Sequence, residues 1–412
     1  MVHQPPSGAR DLLPLDVAQK ISIERRLQEV FHRWGYHRII TSTLERLDTL
    51  MAGGAVQRST VIQLQDAEDG ELGLRPELTA SIARAAATRM GDAAAWPQRL
   101  YYNANVFRKG RGFGHGSQQE FYQAGVELLG AGGVAADAEI LLLLCECLQN
   151  LGLSDWHLVL GEAGLTARLL DPFPLQVRER VRSAIANLDR IALETLPLSS
   201  DLRERAFLLF DLRGRPQDVL PIVANLDLDL PQREALNNLK SLVDLLNECQ
   251  SKIQSPKFQI HLDLSLIQTF DYYTGIVFEV VSDTEVEQRV LGQGGRYDQL
   301  LGLYHPEGES YPGIGFSFNI EDLHQVLLNN SGQLPRETPG SDWLVIPETP
   351  QAYAASFAYA QKLRDSAHLV RVEVDLGGRE TAEAVREYAR NRRISQIAWI
   401  NAVGLPTIEK VS

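Results

Sequence analysis

Four short stretches hold the side chains that could do chemistry. Glu77 and Thr79 place a carboxylate and a hydroxyl two residues apart in Arg75-Pro-Glu-Leu-Thr79. Gln123 and Glu127 stand four apart in Gln123-Ala-Gly-Val-Glu127. Tyr272 and Tyr273 follow Asp271, and Tyr297 lies within Gly294-Gly-Arg-Tyr-Asp298. Carboxylates accept from cationic and N–H donors, and tyrosines offer both an aromatic wall and a hydroxyl. Singly, each stretch is weak: the first reads as a turn opening a helix, the second as two polar groups beside a strand. A fifth stretch, from Arg108 to Gly116, interleaves four glycines with basic or titratable side chains and could cradle a phosphate. It does not match the phosphate loop G-x-x-x-x-G-K-[ST] and reads first as a loop suited to partner contact.

The elements that must position these residues are legible in part. Apolar residues at helical spacing predict an amphipathic helix over 16–34, with Asp16 as N-cap and Gly35 as the stop. Strand signals follow at 36–41, 100–107 and 275–281, and a strongly apolar helix is expected over 139–151. From about 165 to 255 charged and apolar residues alternate at helical spacing, broken by Pro197, Pro216, Pro221 and Pro231, which suggests a helical insertion in a larger domain spanning 1–328. The polar, Pro/Gly-rich stretch 329–341 reads as a linker. Beyond it, residues 342–412 follow a β-α-β-α-β pattern that implies a small α/β domain with a parallel sheet.

Bulk properties narrow the class. With 44% hydrophobic and 23% charged residues, 412 residues suffice for a large core and more than one domain. No apolar run is long enough to cross a bilayer, and residues 1–8 lack the apolar core of a signal peptide. Cys145, Cys147 and Cys249 do not form a disulfide framework and read as bland free thiols, so a cytoplasmic address is expected. Fifty-three acidic against 40 basic side chains leave a net charge of −13, which opposes backbone-driven nucleic-acid binding. The arginines at 379, 386, 390, 392 and 393 read as a solvated helix face rather than a nucleic-acid patch.

Taken together, in this order and at these intervals, the four stretches resemble the histidyl-tRNA synthetases over about three-quarters of the chain, from Ser7 to about Val326. The resemblance implies an α+β fold: the class II synthetase antiparallel sheet with flanking helices and a helical insertion, followed by a shortened anticodon-binding-like α/β domain. It also implies a histidine pocket. By position Glu77 and Thr79 would receive the ligand's α-amino group with Gln123 beside them. Glu127, Tyr273 and Tyr297 would meet the imidazole, and Tyr272 completes the motif.

The departures from the family pattern concentrate on activation. Gln268 stands where the histidine-specific motif has an arginine, and Thr269 where it has a glycine. Arg108 of the second class II motif is kept, but Gly110 replaces the expected glutamate, and Asp322 occupies the arginine slot of the third motif. Ser42 replaces a proline of the first motif, which puts the usual dimer geometry in doubt. Adenylation needs cations around a triphosphate. Replacing +1 by −1 about 5 Å from a phosphate costs roughly 6 kcal/mol at an effective dielectric of about 20.

A kept amino-acid pocket without activation chemistry resembles the regulatory-subunit family of ATP phosphoribosyltransferase. That resemblance implies no catalytic residue, no cofactor and no metal in this chain. It further implies a hetero-oligomer with a short-form HisG-type catalytic subunit at the first step of histidine biosynthesis, self-association as a dimer, and L-histidine as effector. The rivals are a working histidine–tRNA ligase, which Gln268 and Asp322 oppose, and an RNA-binding module, which the net charge opposes. A sensor of uncharged tRNA would carry a kinase signature, and none is present.

Overall fold

The computed structural model describes residues 5–6, 8–54, 56–66, 70–90, 96–109, 118–252, 258–266, 272–283, 288–329, 333–366, 369–379 and 381–411. Contacts divide the chain into two compact units, Met1–Pro335 and Arg336–Ser412, and the division falls inside the Pro/Gly-rich stretch 329–341.

The first unit is built on a nine-stranded sheet. In spatial order its strands are His37–Arg38, Gln98–Phe107, Glu120–Leu129, Gly313–Asn319, Val290–Arg296, Ile276–Ser282, Trp156–Glu162, Gln259–Asp263 and Arg213–Gly214. Pairing is antiparallel except at His37–Arg38 with Gln98–Phe107 and at Trp156–Glu162 with Gln259–Asp263. The two long central strands pair over ten residues, from Gln98↔Leu129 to Phe107↔Glu120. Because side chains alternate across a strand, one set of residues joins the main apolar core and the other faces the opposite side. The main core takes Val126, Leu128, Phe316 and Phe318 from the sheet, and Leu27, Phe31, Leu141 and Leu144 from helices Pro14–Arg33 and Gly133–Asn150. On the opposite side a smaller cluster joins Leu50, Leu78, Ile82, Leu100, Tyr102, Tyr272 and Tyr297. A three-stranded sheet of Leu44–Arg46, Gly70–Leu74 and Gln63–Asp66 stands apart from the nine-stranded one.

Several expectations shift in detail. The first helix starts at Pro14, and Asp16 does not cap it as the preceding residue; its carboxylate lies inside the first turn and accepts from Leu13 N at 3.0 Å. Pro14 at the first helical position costs no hydrogen bond, which is why the helix extends upstream of the apolar periodicity. Gly35, at φ +78°, supplies the left-handed residue after the helix. The strand expected at 36–41 shrinks to His37–Arg38, because Ile39 N reaches Tyr101 O only as an isolated link. The apolar helix begins earlier than 139, at Gly133. Residues 163–252 form six helices, Ala163–Leu169, Leu175–Ala186, Arg190–Thr195, Ser200–Asp211, Pro216–Ala224 and Leu230–Lys252, interrupted by the short strand Arg213–Gly214. No described helix is long and apolar enough to cross a membrane.

The second unit has a four-stranded sheet in the order Val372–Val374, Trp343–Pro347, Gln396–Ile400, Pro406–Lys410. The first three strands are parallel, as the β-α-β-α-β pattern requires. The fourth is antiparallel and went unforeseen, because Pro406–Lys410 is exposed along most of its length and has no apolar alternation.

Candidate functional site

Glu77, Thr79, Gln123, Glu127, Tyr272, Tyr273 and Tyr297, though scattered over more than two hundred residues of sequence, line one cavity of about 370 Å³ that is partly open to solvent. Strand periodicity explains half of it. Gln123 and Glu127, four apart on Glu120–Leu129, share a face with Gly125 between them. A Cβ on Gly125 would run into the Phe316 carbonyl and stand 2.6 Å from the Tyr102 hydroxyl. Across the sheet, Gly315 lies opposite Glu127 and Gly295 opposite Gly315. A side chain on Gly315 would displace the Glu127 carboxylate, and one on Gly295 would approach the Tyr273 ring to 2.6 Å. Glycines therefore pave the floor, so that long polar and aromatic side chains can lie across it.

The walls come from loops and a helix end. Glu77 is 4% exposed, and its carboxylate accepts from Thr79 N at 2.6 Å and Ala80 N at 3.0 Å, closing the first turn of helix Thr79–Arg89. Helix N-termini leave N–H groups without partners and carry partial positive charge, so a carboxylate is held there at little cost. The Thr79 hydroxyl donates to Glu127 Oε1 at 2.8 Å, and the Tyr297 hydroxyl donates to Glu127 Oε2 in a short contact. Tyr272 meets Tyr273 and Tyr297 edge-on, with ring centroids 4.9 and 5.7 Å apart. Edge-to-face packing of this kind lets three rings share one wall without stacking.

Burial dominates the electrostatics. Desolvation pushes the Glu127 carboxyl up to about 8, against the opposing pull of the Tyr297 and Thr79 hydrogen bonds. It pushes Glu77 up as well, held back by the Ala80 and Thr79 N–H groups and by the nearby Arg108 guanidinium. Burial pushes the Tyr272 and Tyr297 hydroxyls well above their ordinary value, with Tyr273, Glu77 and Glu127 adding to it at Tyr272 and Glu127 adding to it at Tyr297. The empty pocket is thus an acceptor-rich site that is poorly solvated. A ligand bringing an ammonium or ring N–H groups would relieve that desolvation. Gln123, only 8% exposed, lines the cavity beside these groups.

Tyr102, Gln293 and Ser317 also line the cavity and escaped sequence reasoning, and Arg108, read only as a motif arginine, joins them. Arg108 donates from Nε to Pro76 O at 2.8 Å, which ties it to the Glu77 turn. A signal did exist for Gln293, since Gly292-Gln-Gly-Gly295 puts one large polar residue on a strand of glycines. Arg75, by contrast, is a clamp outside the cavity: it donates to the carbonyls of Thr41, Ser42 and Asn105.

On the activation side, Gln268, Asp271 and Gly110 lie outside the described residues. Asp322 is placed on helix Ile320–Asn329 and accepts from Arg289 Nη1 at 3.1 Å. Paired with Arg289, Asp322 does not present a bare −1, so the penalty against a phosphate falls toward that of one missing cation, about 3 kcal/mol by the same arithmetic. The adjacent Glu321 accepts from Tyr122 N at 3.2 Å and lies 3.5 Å from the Arg10 guanidinium.

A family model of histidyl-tRNA synthetases matches residues 8–323, so fold and site define a member of that class II synthetase-like group. Within it, the chain is 67% identical over 412 residues to the ATP phosphoribosyltransferase regulatory subunit of Nostoc sp. (strain PCC 7120), with 100% of each chain covered. It is 61% identical over 413 residues to that of Gloeothece citriformis, again with 100% of each covered. The chain belongs to the family of ATP phosphoribosyltransferase regulatory subunits. Among solved structures, an ATP phosphoribosyltransferase regulatory subunit/histidyl-tRNA synthetase from Bacillus halodurans matches with TM-score 0.78 and 27% identity, covering 97% of this chain and 99% of that one. A histidyl-tRNA synthetase from Nostoc sp. PCC 7120 matches with TM-score 0.76 and 20% identity, covering 99% and 97%, and so shares the fold.

Proposed function

We propose that this chain works as a regulatory subunit of ATP phosphoribosyltransferase: it pairs with a short-form catalytic subunit, binds L-histidine in the Glu127 pocket, and performs no aminoacylation itself. The observation that carries this reading is a contrast between two places in the first unit. The Glu127 pocket is an acceptor network, while the arginine slot of the third motif holds Asp322, paired with Arg289. The family supports the same division. Nostoc sp. PCC 7120 has both a regulatory subunit 67% identical to this chain and a separate histidyl-tRNA synthetase only 20% identical to it.

Regulation by such a pocket requires that histidine bind one conformational state of the assembly more tightly than another. By reciprocity, the catalytic subunit's state must then alter histidine affinity by the same factor. The reading includes self-association as a dimer, a cytoplasmic address, and an anticodon-binding-like origin for residues 336–412.

The test is to mix the purified chain with a short-form catalytic subunit and follow phosphoribosyl-ATP formation with and without histidine. Activity that depends on this chain and falls with histidine is expected. Catalysis indifferent to the chain would refute the assignment. Inhibition that survives Glu127→Ala would move histidine out of this pocket.

A further inference from the structure

The cavity around Glu127 is rich in acceptors and poor in donors. Glu77 and Glu127 bring carboxylates, and Arg108 is the only cation among the described lining residues, already tied through Nε to Pro76 O at 2.8 Å. The ammonium and ring N–H groups of a histidine suit the two carboxylates. Its α-carboxylate does not. Beside two buried acids it is repelled, so it needs a donor of its own.

Strand register supplies one. The strand Val290-Leu-Gly-Gln-Gly-Gly-Arg296 alternates its side chains between the two faces of the sheet. Cβ atoms placed on Gly292 and Gly294 would meet Phe318 and Phe278 in the main core, whereas one on Gly295 would meet the Tyr273 ring in the cavity. Gln293 shares the face of Gly295 and is the only side chain of this strand in the cavity lining. Its neighbours across the sheet are Ser317 on one side and Glu279 on the other, and the row continues from Ser317 through Gly125 to Tyr102. Tyr102 and Ser317 hydrogen-bond to each other, and Glu279 stands outside the lining. The Gln293 amide is the next polar group in the row. The Glu127 carboxylate lies over Gly315, and Gln293 is one strand across and two residues along from there. At ordinary strand spacings that is about 8 Å, a span that one amino acid bridges.

We propose that Gln293 is a specificity-determining residue of this pocket: its side-chain amide donates to the ligand's α-carboxylate, so that the pocket selects a free amino acid over the corresponding amine. The inference rests on the reading of the pocket as a histidine site. An amide suits the task, because it donates without the desolvation cost of a second buried cation and leaves both acids free for the ligand's own donors. Without such a donor, two acids and one tethered guanidinium would favour histamine, which keeps the imidazole and ammonium and lacks the carboxylate.

The experiment titrates L-histidine and histamine by calorimetry into the full chain and its Gln293→Met and Gln293→Glu variants. Methionine keeps the length of the side chain and removes the donor; glutamate puts a like charge in its place. Wild type is expected to bind histidine more tightly than histamine. In Gln293→Met histidine weakens about tenfold with histamine unchanged, and in Gln293→Glu the preference inverts. A purely structural role for Gln293 would weaken both ligands together, and that result overturns the proposal. So does a preference left unchanged by Gln293→Met, or a wild type that favours histamine. In each of these cases histidine binding by the wild type upholds the pocket as a histidine site. A wild type that binds neither compound refutes that reading, and this inference with it.

Discussion

The Glu127 pocket and the Asp322 position of the first unit are built on opposite principles. In the pocket, Glu127 is 1% exposed and receives hydroxyl donors on both oxygens, and glycines beneath it keep the floor clear. At the other position, Asp322 sits in a third-motif arginine slot and spends its charge on Arg289, and the pair is partly exposed, with 26% and 34% of the side chains accessible. The first arrangement is costly to maintain empty, because buried carboxylates are poorly solvated. The second is cheap. On the proposed function, the costly site keeps binding and the cheap one gives up chemistry, which is the division of labour a regulator needs.

The most severe way to break this comparison is Glu127→Ala. It leaves the Tyr297 and Thr79 hydroxyls without their acceptor, and histidine affinity should fall about a hundredfold to a thousandfold by calorimetry. Next is pH. Because the folded carboxyl of Glu127 titrates near 8 instead of the ordinary 4.5, the empty protein holds a proton that the unfolded chain has released. Stability is therefore lost as pH rises between about 4.5 and about 8, at about 1.4 kcal/mol per unit, and is level above that window. Glu127→Gln should flatten the fall in denaturant midpoint between pH 6 and 8. A third, smaller effect is expected from Tyr297→Phe, which removes one donor to Glu127 and should weaken histidine about tenfold with little change in melting. Asp322→Ala should cost the least, below about 1 kcal/mol of stability for a part-exposed ion pair, and should not confer ATP binding in a filter assay.

Much of this was legible without coordinates, and the reason is physical. Glu77, Gln123, Glu127 and Tyr297 stand in short motifs that are weak singly, and their order and intervals resemble a family in which they converge. The Gln-x-Gly-x-Glu spacing is what a strand needs to present two polar groups with room between them. Tyr102 and Ser317 were illegible because they reach the cavity by strand register alone, from stretches with no local signature. Arg289 could not be paired with Asp322 in advance, since they lie 33 positions apart with two strands, Val290–Arg296 and Gly313–Asn319, between them. Asp16 and the strand Pro406–Lys410 were misjudged for local reasons: Pro14 moved one helix start upstream, and an exposed edge strand has no periodicity to read.

The most direct test of the asymmetry is a pair of calorimetric titrations on one sample of the purified chain, first with L-histidine and then with ATP and magnesium. Saturable heat with histidine and none with the nucleotide is predicted. Saturable ATP binding, accompanied by histidine-dependent pyrophosphate exchange, would contradict the account and restore this chain to catalysis.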